Sequence, residues 1–501
     1  MRGDYLNCQQ ISRGSILPCP NSEWTRTSTE GRKMLKTIRC LLTISVLLVT
    51  AQHVSAQVDL EALQDEAVGW LQEYIRINTI NPPGNEIRGA EFFARLFEAE
   101  GIEYEIAESA PGRGNIWARL EGGDRPGIVL LHHIDVVPAD ERYWDSDPLS
   151  GELRDGYIYG RGALDTKTSG ILHLATFIAL HRSDIPLNRD VVFMATADEE
   201  AGGFFGAGWL VENRSELFNN IGFLLNEGGG GSVVEGRVQF GVEVTQKVPY
   251  WLRLTTTGEP GHGSRPLVSY ASLKLIEALE RLRLHEFEAR IIPAVDSHFR
   301  GMAARHPEPW QSRFEDLGSA IQEPEVLEEL QLYNPSLHTL TRNTCSITRF
   351  EGSNKINVVS PEVWAEIDCR LLPDQDPQLW LREVQGVVGS EVEIEVLMGF
   401  TPAVSTTDTQ LYEMIRDVTL EELPGASFVP QVQGGFTDSH FFRDLGIVSY
   451  GYSATATPSE DAGGVHGNNE RVTEENVRRG VTMTVKILER FAATRPISEE
   501  E

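Results

Sequence analysis

The chain has 501 residues, 41% apolar and 24% charged, the composition of a soluble globular protein long enough for two domains or more. Its 44 basic and 74 acidic residues leave a formal charge of −30, which argues against nucleic acid or an anionic membrane as a partner and says nothing about fold.

Taken in order, the chain opens on a targeting pattern. Lys33, Lys36 and Arg39 precede the apolar run 40–50, and Val54-Ser55-Ala56 precedes Gln57. A basic segment, a short apolar core and small residues before a cut describe a secretory signal, so the mature chain is expected to begin after Ala56 and to be exported, to a periplasm or beyond. The run is shorter than the roughly 20 residues that span a bilayer. Met34 makes a more usual signal start than Met1. The cut would remove Cys8, Cys19 and Cys40. It would leave Cys345 and Cys369 as either a disulfide or two buried thiols, with the balance slightly toward thiols.

Residues 58–98 carry apolar side chains at helical spacing, broken at Asn81-Pro82-Pro83-Gly84. Short apolar runs at 104–106, 115–120 and 127–131 read as strands. A helix at 168–181, a strand at 191–196, a helix near 208–213 and a strand at 222–225 follow. Strands alternating with helices imply a largely parallel sheet covered on both faces. The character changes near Lys247. Strands at 250–257, 345–350, 363–371 and 392–397, with helices at 269–284 and 378–388, suggest a small α+β layer with one open face. Residues 291–340 are poorly patterned and are expected to decorate that layer. From Thr409 the α/β pattern returns, with helices at 409–420 and 474–494 and a strand at 447–452. One domain is therefore split around another.

The candidate chemistry centres on Asp198-Glu199-Glu200, at the end of the strand 191–196. Charges there need a partner, and a metal is a strong one. Neighbouring side chains on an extended backbone point opposite ways, so one glutamate can hold a metal while the other reaches a water beside it. Alone, the pair reads as well as a solvated acidic turn. His133 and Asp135, Asp165, Glu227 and His466 also fall at strand ends or in the loops after them, where open α/β sheets build their sites. Histidines with carboxylates suit zinc or a similar divalent ion, and a shared carboxylate would make a two-metal site. Taken singly, a histidine at a strand end is more often structural, and an aspartate before a helix is usually its cap.

Order and context decide the matter. His133-Ile134-Asp135-Val136-Val137-Pro138 resembles the H-x-D-V-V-P signature of the aminoacylase, glutamate carboxypeptidase and succinyl-diaminopimelate desuccinylase family (metallopeptidase family twenty). Gly160-Arg161-Gly162-Ala163-Leu164-Asp165-Thr166-Lys167 is similar to its G-R-G-A-x-D-x-K, and Asp198-Glu199-Glu200 to its D-E-E. The resemblance implies a zinc-exopeptidase-like α/β catalytic domain in segments 57–246 and 399–501, with an α+β lid and dimerisation domain inserted at 247–398. It implies that His133 and Glu227 bind one metal, Glu200 and His466 the other, and that Asp165 bridges them. The metals would be zinc, with cobalt or manganese as alternatives. Glu199 would be the general base, and Asp135 would hydrogen-bond His133 and fix its tautomer.

In the implied lid, Gly261-His262-Gly263-Ser264-Arg265-Pro266 resembles the family's G-H-x-S-x-P, so His262 would stabilise the oxyanion in a partner subunit's site. Asn357 and Arg370 match the residues that hold the substrate carboxylate. Two departures stand out. His132 occupies a position where the family has glycine, and it reads as packing. His440 replaces the arginine of G-x-T-D-x-R, with Arg443 a substitute only if the loop allows. The implied activity is hydrolysis of an amide or peptide bond beside a free carboxylate, as in a carboxypeptidase or dipeptidase, with N-acyl-amino-acid hydrolysis as the alternative. A binding protein on the same fold is the remote alternative, disfavoured because every implied ligand and the base are present. The expected partners are a small peptide or N-acyl amino acid and a second copy of the chain, with no nucleic acid and no membrane.

Overall fold

The computed structural model describes residues 58–496 apart from Glu235. The expected signal segment, its cut after Ala56, and Cys8, Cys19 and Cys40 lie outside the described residues.

The strand Arg125–His133 sits between Arg189–Thr196 and Ile221–Asn226, parallel to both, and Val448–Gly451 continues the parallel run beyond Ile221–Asn226. Such strands are buried on both faces, which is why they read as unbroken apolar runs. Alternate residues serve two cores. Ile128 and Leu130 join the core under the helices Leu60–Ile75, Ile87–Glu100, Lys167–Ser183 and Glu474–Ala492, whereas Val129 and Leu131 face Leu210 and Phe442 on the opposite side. Gly114–Leu120 and Tyr104–Glu108 close one edge antiparallel. Toward the other edge lie Arg237–Gln246, Gly230–Val234, Ala456–Pro458 and Ser427–Gln433, completing ten strands. Of these, Gly230–Val234, Arg237–Gln246 and Ser427–Gln433 do not stand out in the sequence, because glycine, glutamine and charged residues interrupt their alternation.

Lys247 separates the last long strand of this sheet from Val248–Thr257, the first of a four-stranded antiparallel sheet ordered Thr344–Glu351, Glu362–Leu371, Val248–Thr257, Glu393–Gly399. Helices Ala271–Leu284 and Pro377–Val388 pack on this smaller sheet through Leu279, Trp380 and Val384 against Leu252, Leu254 and Ile367. Cys345 and Cys369 face each other in register with Cα atoms 4.0 Å apart and form a disulfide, so the slight preference for free thiols is corrected.

Residues 291–340 also differ from expectation. They form short helices, none longer than ten residues, three of which begin at a proline: Pro293–Met302, Pro324–Tyr333 and Pro335–Thr339. Each is too short to show a repeat, and proline is tolerated in their first turns. Val295, Phe299, Phe314 and Leu330 share a core with Val432, so this insert packs on the large sheet rather than decorating the small one. Among the described residues no helix is long and apolar enough to cross a membrane.

The insert's docking carries a pH dependence. Nδ1 of His298 accepts the amide N–H of Val432 at 3.1 Å, and burial pulls the imidazole down to about 4. An unfolded histidine titrates near 6.5. Between those values the unfolded chain binds a proton that the folded chain refuses, so stability is full above about 6.5 and falls as pH drops toward about 4. His173 and His338, both lowered to about 4 chiefly by burial, act in the same direction. Thermal unfolding at pH 7 and pH 4.5 should show a lower midpoint in acid. In His298→Gln, which keeps an acceptor but cannot titrate, the difference should shrink.

Candidate metal centre

The predicted ligands converge at the carboxyl ends of the central parallel strands, although they lie far apart in sequence. His133 closes the strand Arg125–His133. Its Nδ1 stands 2.9 Å from the carbonyl oxygen of Asp135, which fixes the proton there and turns the Nε2 lone pair into the cleft. Nε2 is 3.1 Å from Asp165 Oδ1, 3.4 Å from Glu227 Oε2 and 4.0 Å from Glu199 Oε2. The second oxygen of Asp165 faces the other histidine, with Oδ2 3.1 Å from His466 Nε2, which stands 3.2 Å from Glu200 Oε2. Two sets result, His133–Asp165–Glu227 and Asp165–Glu200–His466, each with its ligand atoms within 4.8 Å of one another and both sharing Asp165.

This donor set fits two divalent cations. Imidazole nitrogens and carboxylate oxygens are the usual ligands of such ions, and no thiolate is involved. Glu200 Oε1 is buried without a hydrogen-bond partner. Glu199, Glu200, Glu227 and Asp165 together exceed what two imidazoles can balance, and buried negative charge needs a cation. The proton affinities show the same surplus. Burial and the neighbouring Glu227 push Glu199 well above the carboxylate range, and burial raises Glu227 to about 7. Burial also pushes Asp165 upward, but hydrogen bonds from His133 and His466 outweigh it and hold its carboxyl low. Hydrogen bonds to Asp165 and Glu200 raise His466 to about 10. Cations would reverse the upward shifts of Glu199 and Glu227.

Supporting contacts set the loops. The Asp135 carboxylate accepts the backbone N–H of Glu199 at 3.1 Å and of Glu200 at 3.2 Å, together with Asn81 Nδ2 at 2.8 Å. Its Oδ1 lies 3.5 Å from His133 Nδ1, so it is the carbonyl of Asp135, not the expected carboxylate, that makes the short bond to the histidine. Gly203, at φ 72°, closes the turn after Glu200, and a Cβ there would stand 2.2 Å from Asp438 Oδ1.

Glu470 has no role in the sequence reading, yet it organises the opposite loop. Fully buried, it accepts N–H bonds from Gly162 (3.1 Å), Leu164 (2.7 Å) and Asp165 (3.1 Å) and pairs with Arg161 at 2.5 Å. Its position just after His466-Gly467-Asn468-Asn469 was the available signal, but a lone glutamate on a loop reads as solvated.

His132 packs among Tyr74, Phe93 and Phe193, and a side chain at Gly170 would collide with it. His440 stacks on Phe400 with ring centroids 3.6 Å apart, and burial pulls it down to about 3, so it supplies no cation. Arg443 supplies none either, because Glu243 holds it in a buried two-oxygen pair at 2.7 and 2.8 Å. The three lid candidates stand outside the two ligand sets. His262 is exposed, and its Nδ1 accepts the Ser264 N–H at 3.1 Å. Asn357 is exposed, and Arg370 is paired with Asp368 at 2.8 Å.

Residues 129–490 match the family described as peptidase family M20/M25/M40. The chain is 31% identical over 423 residues to N-fatty-acyl-amino acid synthase/hydrolase PM20D1 of Xenopus tropicalis, covering 79% of this chain and 78% of the relative. It is 26% identical over 442 residues to aminoacylase-1 of Homo sapiens, covering 85% and 95%. Among solved structures, a metallo-carboxypeptidase of Sulfolobus solfataricus superposes with a TM-score of 0.65 at 20% identity, covering 85% of this chain and 99% of the other. The di-peptidase Dug1p of Saccharomyces cerevisiae gives 0.60 at 16%, covering 86% and 96%. These likenesses show a shared fold.

Glu470 is the structural test of the site. Glu470→Ala strands Arg161 in the interior and frees three amide N–H groups, so urea unfolding should show a loss of about 3–5 kcal/mol. Metal affinity should weaken with it, because the Asp165 loop loses its anchor.

Proposed function

The chain belongs to peptidase family M20/M25/M40 and is a metal-dependent hydrolase, and from that premise we propose that it hydrolyses the amide bond joining an acyl or peptidyl group to an amino acid with a free carboxylate. The observation that carries this reading is the pair of ligand sets sharing Asp165, with Glu199 buried beside them and bound to neither. N-acyl amino acids are the favoured substrates, supported by the names of the relatives at 31% and 26% identity. Dipeptides and peptide C-termini are the second reading.

His133 and Glu227 would hold one ion, Glu200 and His466 the other, with Asp165 common to both. Zinc suits the donors, as do cobalt and manganese. Two such ions, when bound, polarise a carbonyl and lower the proton affinity of water. Glu199 takes the proton of the attacking water as the new carbon–oxygen bond forms. It then gives that proton to the amide nitrogen as the carbon–nitrogen bond breaks. Its carboxylate lies 4.0 Å from His133 Nε2 and belongs to neither ligand set, so it is free to accept the proton and return it.

The exposed positions of His262 and Asn357 suit work across an interface, so a homodimer through the small layer completes the proposal. There His262 would donate to the developing oxyanion of the partner's substrate, and Asn357 and Arg370 would hold the adjacent carboxylate. Export is the proposed location. The Cys345–Cys369 disulfide supports it, because such bonds persist in oxidising compartments.

Metal-loaded protein offered N-acyl amino acids and dipeptides should turn over one class in preference. Glu199→Gln should lower kcat by about 10²–10⁴-fold with metal content unchanged. In metal analysis, Asp165→Ala should lose both ions rather than one. Sedimentation should give a dimer, and a fully active monomer would sink the role given to His262.

A further inference from the structure

A cavity of about 850 Å³ lies between the glycine run 228–231, the strand Ser427–Gln433 and the helical insert, a volume suited to a small organic ligand. Its wall includes Leu164, Gly228 and Val465, the chain neighbours of Asp165, Glu227 and His466, so it adjoins the metal centre. None of the groups described above in the hydrolysis lines it.

Its charge is unlike that of the rest of the molecule. In a chain with 74 acidic residues, no carboxylate lines this wall among the described residues. The cation facing it is Arg305. Nη1 of Arg305 donates to Ser232 Oγ at 2.9 Å and Gln239 Oε1 at 2.6 Å, both neutral. Among the described residues Nη2 and Nε have no protein partner, and no carboxylate pairs with the guanidinium. Other arginines around the cleft are answered: Arg443 by Glu243, Arg161 by Glu470 and Arg113 by Glu86. Burial pulls the Arg305 guanidinium below its ordinary value, as expected of a cation lacking a counter-charge. His298 and His306 share the wall, but each is lowered by burial and has Nδ1 engaged, by the Val432 amide and by the Tyr333 hydroxyl at 2.8 Å.

The anchoring also has a shape. With Nη1 held by the two neutral oxygens, the unpartnered edge is Nε with Nη2, the side-on fork that a carboxylate accepts with both oxygens. Ser232 follows Glu227 by five residues, so Arg305 is tied to a point at most about 17 Å from that ligand's backbone. A short peptide or substituted acyl group covers that span.

Resting on the hydrolase reading above, we propose that this cavity is a substrate subsite in which Arg305 receives a carboxylate of the substrate and selects substrates by that charge. Its source is either the acyl group, leaving Asn357 and Arg370 the contacts given above, or the amino acid released, with Arg305 then taking their place.

Three probes separate them: N-acetyl-leucine, with its charge on the amino acid; N-succinyl-leucinamide, with its charge on the acyl group; and neutral N-acetyl-leucinamide. Their binding to the metal-loaded full chain is measured by calorimetry in a Glu199→Gln background, with Arg305 intact or changed to Met or Lys. The expected result is a loss of affinity of tenfold or more in Arg305→Met for one charged probe, which names the source. The neutral probe should be unaffected, and Arg305→Lys should recover most of the loss. The proposal is overturned by unchanged affinity for both charged probes, by no measurable binding of either, or by an equal loss for the neutral probe, which would mark Arg305 as only a brace between the insert and the sheet. Wild-type turnover judges the hydrolase reading separately. Arg305-dependent binding without turnover would sink that reading alone, and turnover with Arg305-independent binding would sink this one alone.

Discussion

Unbalanced negative charge is the constraint around which this protein is built. Asp165, Glu199, Glu200 and Glu227 meet at the mouth of a parallel sheet, and among the described residues His133 and His466 stand opposite them. Buried carboxylates in such numbers are tolerated when cations neutralise them. Asp165 carries the arrangement, because it presents one oxygen to each histidine and thereby joins two ligand sets into one centre. Glu199 keeps its place beside that centre without belonging to either set.

Holding four like charges together requires a rigid frame, and the frame is made of neutral donors and buried pairs. Asp135 grips the 199–200 turn through two backbone N–H groups, and Glu470 grips the 162–165 loop through three. Neither touches the ligand atoms of the loop it supports. Both are themselves buried acids, Asp135 taking a hydrogen bond from the neutral Asn81 amide and Glu470 pairing with the Arg161 cation, so support for the cleft extends outward from it. The scaffold beneath is ordinary by comparison, with apolar strands whose alternate residues fill two cores.

The cleft's neighbourhood has the opposite character. The loop position where the family motif carries an arginine holds His440, stacked flat on Phe400, and the nearby Arg443 is locked by Glu243. Positive charge is instead displaced to Arg305, on an insert that packs against the large sheet. Recognition on this chain can therefore draw on a part of the fold distinct from the lid residues Asn357 and Arg370. The small sheet, stapled by Cys345–Cys369 and joined to the large one at Lys247, leaves His262 on an exposed two-strand ribbon.

Much was legible in one dimension. The periods of 58–98, 168–181 and 474–494 gave helices, the runs 127–131 and 191–196 gave buried strands, and the change of pattern at Lys247 falls between two sheets. The residues that converge at the centre were legible because each ends a strand or opens a loop inside a recognisable run, so chemistry and position coincide locally. What the sequence could not decide is whatever depends on which distant residues meet. The short proline-started helices of 293–339 have no period long enough to read. The pairing of Cys345 with Cys369 follows from strand register, which links residues whose separation says nothing about contact. Glu470, Arg305 and His440 acquire meaning only from their partners: three amide groups, two neutral oxygens and a phenyl ring. A charge's role is set by what surrounds it, and its surroundings are made by the tertiary fold.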